Sequence, residues 1–89
     1  MPSVELRIAD EFVEALAEVY SEHVLAGIEM ALNSLKLFPE SGSPRVRQSL
    51  IARYGEGLRQ LVVSHFVIVY RYRSNTVDAL ALVYGPTIV

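Results

Sequence analysis

The sequence predicts an α+β domain: a short N-terminal strand, a helical hairpin, and a small, mostly antiparallel sheet against which the hairpin packs, in the order β-α-α-β-β-β. Three observations carry this. Before residue 38 apolar side chains recur at helical spacing, and after residue 57 they form three runs rich in β-branched and aromatic residues. Between the two regimes lies Phe38-Pro39-Glu40-Ser41-Gly42-Ser43-Pro44, whose prolines, glycine and serines mark a loop. A helical layer on one face of a small antiparallel sheet buries both sets of apolar side chains.

Each element follows in turn. Val4, Leu6 and Ile8 alternate with Glu5 and Arg7, the period of a strand. Phe12, Leu16, Val19 and Tyr20 then fall on one side of a helix, with Glu11, Glu14, Glu18 and Glu22 opposite. Asp10 is the expected N-cap, and Tyr20 is expected in the helix core. A second stripe, Leu25, Ile28, Leu32 and Leu35, continues to Phe38, with a break expected around Glu22 to Gly27. One bent helix or two helices fit this pattern, and the hairpin is favoured. No element is assigned between the loop and Leu58. Beyond it, Leu58 to Val63, Phe66 to Arg73 and Val77 to Tyr84 are three strands, separated by Ser64-His65 and Ser74-Asn75-Thr76.

At 89 residues the chain is expected to be a single domain spanning 1–89. Hydrophobic residues make up 52% of it and the mean hydropathy is +0.31. That surplus points to an apolar surface normally covered by a partner chain. Cysteine is absent, which removes disulfide and thiolate chemistry. The start lacks a basic segment leading into an apolar run, and no stretch approaches the roughly 18 apolar residues of a membrane span. The expected compartment is therefore the cytoplasm, with no membrane partner. Charge is divided unevenly. Residues 1–40 set Arg7 and Lys36 against eight acids, a balance of −6, whereas residues 41–89 set six arginines against Glu56 and Asp78, a balance of +4. One half can present an anion-binding face; the other half reads equally as a solvated acidic layer.

The run from Gly57 to Tyr72, Gly-Leu-Arg-Gln-Leu-Val-Val-Ser-His-Phe-Val-Ile-Val-Tyr-Arg-Tyr, resembles the core signature of the RelE/ParE toxin superfamily. There an arginine, here Arg59, is followed by apolar residues, a short turn and an apolar strand ending in Tyr-Arg, here Tyr70-Arg71. The opening strand and helix, the ending Leu35-Lys36-Leu37-Phe38-Pro39 and the loop with Gly42 match as well, so the likeness runs from about residue 4 to residue 84. The chain departs from many relatives at Tyr84-Gly85-Pro86, where they carry a histidine or a basic cluster, and in its uncharged tail Thr87-Ile88-Val89.

The resemblance implies the toxin of a type II toxin-antitoxin system, akin to ParE-like plasmid stabilisation proteins, neutralised in a hetero-oligomer by a cognate antitoxin. Two mechanisms follow from it. ParE-type relatives inhibit DNA gyrase by binding; the expected target-binding residues are then Arg53, Arg59, Arg71 and Arg73, with no catalytic residue. RelE-type relatives cleave messenger RNA on the ribosome, and the site would be Arg45, Arg47, Arg59 and Tyr84. Such cleavage needs a group that removes the 2′-hydroxyl proton and one that protonates the leaving oxygen. Arginine holds phosphate well but hardly deprotonates, and the only lysine, Lys36, falls on the second helix. The gyrase-binding reading is therefore favoured. An inactive binding scaffold is a third possibility.

The plainer readings of the same residues stand beside these. Arg71 and Arg73 alternate with Tyr70 and Tyr72, as on any strand with one solvated face. Arg59 shares the parity of Leu61 and Val63, so it either pairs structurally, with Glu56 or Asp78, or meets the target. His23 and His65 lack companions at metal-ligand spacing, so neither a metal nor a cofactor is expected. Antitoxins of such systems fold as they bind, and the expected receptors are an apolar groove beside the helices and a free sheet edge, at Val4 to Ile8 or Val77 to Tyr84.

Overall fold

In the computed structural model, which describes residues 4–87, the first strand is β1 (Glu5–Ile8). Helices α1 (Asp10–Leu16), α2 (Glu22–Leu37) and α3 (Gln48–Tyr54) follow, then β2 (Leu58–Val63), β3 (Phe66–Arg73) and β4 (Thr76–Tyr84). Ile88 and Val89, two residues of the uncharged tail, lie outside the described residues. The fold class is the expected α+β architecture, with one helix more than the sequence pattern revealed.

The sheet has the order β1-β4-β3-β2. The two hairpins at its C-terminal end are antiparallel, and β1 adds to β4 in parallel, Leu6 opposite Val77 and Ile8 opposite Ala79. Ser74 and Asn75, at φ 52° and 57°, form the two-residue left-handed turn that matches strand twist. Val69 pairs with Ala81 and Tyr70 with Ala79, so Leu80 is left without a partner of its own. This bulge keeps Val77 and Ala79 under α1 and α2 while turning Ala81 to the opposite face. Strand β4 is therefore central only over Thr76 to Ala79, where β1 pairs with it; from Leu80 to Tyr84 β1 does not cover its outer side. The other flanks of the sheet are β1 and β2, the latter bridged at Gln60 by Ser43.

Two apolar layers result. Phe12, Ile28, Leu32 and Leu35 from the helical hairpin bury against Ile68, Tyr70, Val77 and Leu82. On the other face a smaller cluster joins Leu50 of α3 to Leu58, Val67, Val69 and Ala81. α3 eluded the pattern because it has seven residues and a single buried position, Leu50, too little to display a helical stripe.

Local expectations shift in the helical layer. The N-cap of α1 is Ala9, with Asp10 in the first turn, where its charge still suits the helix dipole. The break lies at residues 17–21 instead of Glu22 to Gly27, because the Ser21 side chain accepts a hydrogen bond from Val24 N–H and starts α2 there. Gly27 sits inside α2, where a Cβ would stand 3.2 Å from Val63 Cγ1, so it serves close helix-sheet approach and not a bend. With α1 ended at Leu16, Tyr20 leaves the stripe and is 87% exposed instead of buried. Phe38, past the end of α2, is likewise exposed.

Candidate functional site

The arginines named by the sequence are mostly engaged with the fold itself. Arg59 and Tyr70 stand opposite each other on β2 and β3 and both hold the loop that follows α2. Arg59 donates to the carbonyls of Glu40 (3.1 Å) and Gly42 (2.8 Å) and lies 3.8 Å from the Glu40 carboxylate. Its partner is thus Glu40, not Glu56 or Asp78, because the loop folds back onto β2 through the Ser43–Gln60 bridge. The Tyr70 hydroxyl accepts from Gly42 N–H and donates to the Pro39 carbonyl, and its pKa is raised, chiefly by burial. A side chain at residue 42 would collide with it, since a Cβ there would lie 2.5 Å from Tyr70 Oη. Leu37 and Phe38, both largely exposed, rest beside this fastened loop, over a shallow pocket of about 490 Å³ bounded by Pro39, Glu40 and Ser41.

Arg71 works the same way on the opposite face. It donates to the carbonyls of Tyr54 (2.6 Å) and Glu56 (3.2 Å), closing the end of α3 and the turn into β2. Arg53 pairs with Glu11 of α1 at 3.1 Å and lies over the Tyr54 ring. The Tyr54 hydroxyl also donates to Glu11. Burial first, and then that hydrogen bond to a carboxylate, raise the Tyr54 pKa to about 12. Of the four proposed target-binding residues, Arg73 alone enters no hydrogen bond or ion pair among the described residues; it is exposed. Sheet register sets Arg7 beside Asp78 and Arg71, and Glu5 beside Thr76 and Arg73, on the face away from α1 and α2. Arg7 was not nominated by the sequence, since its neighbours come from strands some seventy residues later, where local pattern carries no information.

The alternative set is not brought together. Arg45 and Arg47 are exposed on the approach to α3, where the Arg47 carbonyl starts the helix. Tyr84 packs edge-on against Phe66, 5.5 Å between ring centroids, at the hairpin end of the sheet opposite Val63 and Phe66. Arg59 lies four residues along the strands from that end, roughly 13 Å. His65 occupies the adjacent exposed turn, and among the described residues no three His, Asp or Glu side chains group as metal ligands.

The helical layer carries a second feature. Between α1 and α2 runs a cleft of about 240 Å³ lined by Leu16, Leu25, Ile28, Glu29 and Leu32, with Val13 half exposed beside it. No helix among the described residues is long and apolar enough to cross a membrane.

A four-stranded mixed sheet carrying a two-helix layer and a clasped loop defines the class of small toxin folds found in toxin-antitoxin pairs. The family model described as ParE toxin of type II toxin-antitoxin system, parDE, matches residues 6–85, and the chain belongs to that family. One chain of the toxin-antitoxin complex RelBE2 from Mycobacterium tuberculosis shares the fold with a TM-score of 0.71 at 18% identity, over 94% of this chain and 93% of that one. A chain of the chromosomal ParDE TA system from P. aeruginosa does so with a TM-score of 0.67 at 14% identity, over 92% and 96%. No curated protein matches the chain in sequence.

Proposed function

We propose that this toxin arrests growth by binding DNA gyrase, without a catalytic step, and that a cognate antitoxin covers it in the cytoplasm until needed. The observation that carries the reading is the engagement of Arg59 and Arg71 with backbone carbonyls, away from any shared pocket with Tyr84. A ribonuclease needs an acid and a base within reach of one phosphate, and arginines spent on carbonyls supply neither. Exposed apolar side chains such as Leu37, at the end of α2, and Phe38, beside the fastened loop, suit tight protein binding, because little backbone entropy remains to be lost there. The solvated Arg73 then contributes steering toward an acidic or DNA-bound target.

The test is a pair of pulse labels, for DNA and for protein synthesis, in the first minutes after inducing the chain without antitoxin in a bacterial host. DNA synthesis is expected to stop first. If protein synthesis stops first, the ribosome-dependent nuclease reading replaces this one, and Arg45, Arg47, Arg59 and Tyr84 become the residues to substitute. Continued growth with both labels incorporated would leave an inactive scaffold.

A further inference from the structure

We propose that α2 pairs antiparallel with α2 of a second copy of this chain, along a seam of Ala26, Met30, Asn33 and Leu37. A helix that lies on a sheet with one face buried ordinarily keeps its outward face polar. α2 does not. Opposite the buried Ile28, Leu32 and Leu35 stand Met30, 72% exposed, and Leu37, 69% exposed, with Ala26 and Asn33 exposed on the same line. Their spacing of four, three and four residues is that of the seam of a two-helix coiled coil. Phe38, exposed just past the helix, extends it.

Charge selects both the occupant and the direction. Glu22, Glu29 and Lys36 recur every seven residues along one edge of the seam, and none enters an ion pair among the described residues. Lys36 lies two turns beyond Glu29, roughly 10 Å along the axis, out of reach within one helix. Antiparallel pairing sets Ala26 against Leu37 of the second copy and Met30 against its Asn33. Lys36 of the second copy then falls between Glu22 and Glu29, and the twofold axis repeats the contact. A parallel pair would instead set Lys36 against Lys36 and Glu29 against Glu29. On the other edge Gly27 and Ser34 are small and leave room for close approach. Asn33 fixes the register, as a polar residue in such a seam does, at a cost in stability. One helix pair of this length buries less than the roughly 1,200 Å² of a stable interface, so the dimer is weak and transient. Leu37 also belongs to the surface proposed for gyrase, so a chain held in the dimer cannot use it there.

The test is sedimentation of the purified full chain from about 5 to about 500 µM, where reversible dimerisation is expected with a midpoint of roughly 10–100 µM. Met30→Glu, at an exposed position, should leave the melting temperature of dilute protein unchanged and abolish the dimer. Asn33→Leu, which takes the polar residue out of the seam, should tighten the dimer about threefold or more. Lys36→Glu should weaken it about tenfold, and so should Glu22→Lys with Glu29→Lys. Those two variants mixed should associate at least as well as wild type, since each supplies the charges that the other lacks. A wild-type chain that stays monomeric throughout overturns the pairing. So does a dimer that survives Met30→Glu, a Lys36→Glu dimer as tight as wild type, or a mixture no tighter than either variant alone. Failure of the toxin reading looks different: cells then grow through induction while the dimer remains measurable in vitro.

Discussion

Tyr70 and Arg59 fasten the same loop from neighbouring strands, and the consequences are sharp at single atoms. Tyr70→Phe leaves Gly42 N–H and the Pro39 carbonyl without their buried partner. It should cost about 1–3 kcal/mol in a urea titration. Gly42→Ala drives a methyl into the same hydroxyl and the Gln60 carbonyl, with an expected loss of about 1–3 kcal/mol, read the same way. Arg59→Lys keeps the charge but gives up the fork that reaches two carbonyls. If Arg59 is a structural clasp, its stability and toxicity fall together; toxicity lost at full stability would make it a target contact. Tyr54 supplies a pH signature. Its folded pKa, about 12, lies above the ordinary 10, so the folded state keeps a proton that the unfolded state has released. Its contribution is complete below pH 10 and is lost as pH rises toward 12. Wild type should therefore lose more stability than Tyr54→Phe across that interval, as measured by denaturation at fixed pH.

At the scale of elements, α3 is a seven-residue helix with a single fully buried position. Leu50, with Ile51 and Tyr54 packed beside it, and the Arg71 clasp keep it on the sheet, while Arg53 and Tyr54 tie it to Glu11 of α1. The ion pair itself contributes only about 0–1 kcal/mol. Arg71→Ala should speed amide exchange throughout α3 and the turn into β2 while β3 and β4 stay protected, since α3 opens without breaking the sheet. Leu50→Ala, which empties a position 7% exposed, should cost about 2–4 kcal/mol in the same denaturation assay. Strand β1 is the opposite case. Its four residues are short, but parallel pairing to β4 and the Val4 N–H to Lys36 carbonyl bond tie it to both layers.

For the whole molecule, the division of charge is the feature with the widest reach. The acidic helical layer and the arginine-bearing half lie on different elements, so the protein carries its opposite charges on separate parts of the fold. Because a ligand that binds the folded state alone stabilises it by mass action, antitoxin at about 100 times its Kd should add about 2.7 kcal/mol. For a chain of this size that is a rise of roughly 10–20 °C in Tm, visible in a thermal scan of toxin with and without partner. A partner that leaves Tm unchanged at saturation does not bind the folded toxin.

The sequence by itself determined the two regimes and their order, because amphipathic period is a local property that residues such as Leu25, Ile28, Leu32 and Leu35 announce wherever they fold. It also determined the three C-terminal strands to within a residue, since turn residues such as Ser74-Asn75 fix hairpin register locally. The uneven charge was equally legible. Tertiary structure alone decided which arginines are free. Arg59 reads on its strand as a charged residue beside an apolar face, and only the return of the loop onto β2 supplies its carbonyls. Arg71 reads as a solvated arginine until α3, invisible to periodicity, ends against it. The central place of β4 and the meeting of Arg7 with Asp78 likewise depend on the pairing of β1 with a strand some seventy residues away. Hydrogen bonds to backbone carbonyls carry no side-chain pattern, and parallel pairing has no turn to mark it, so both are settled only when the chain closes on itself.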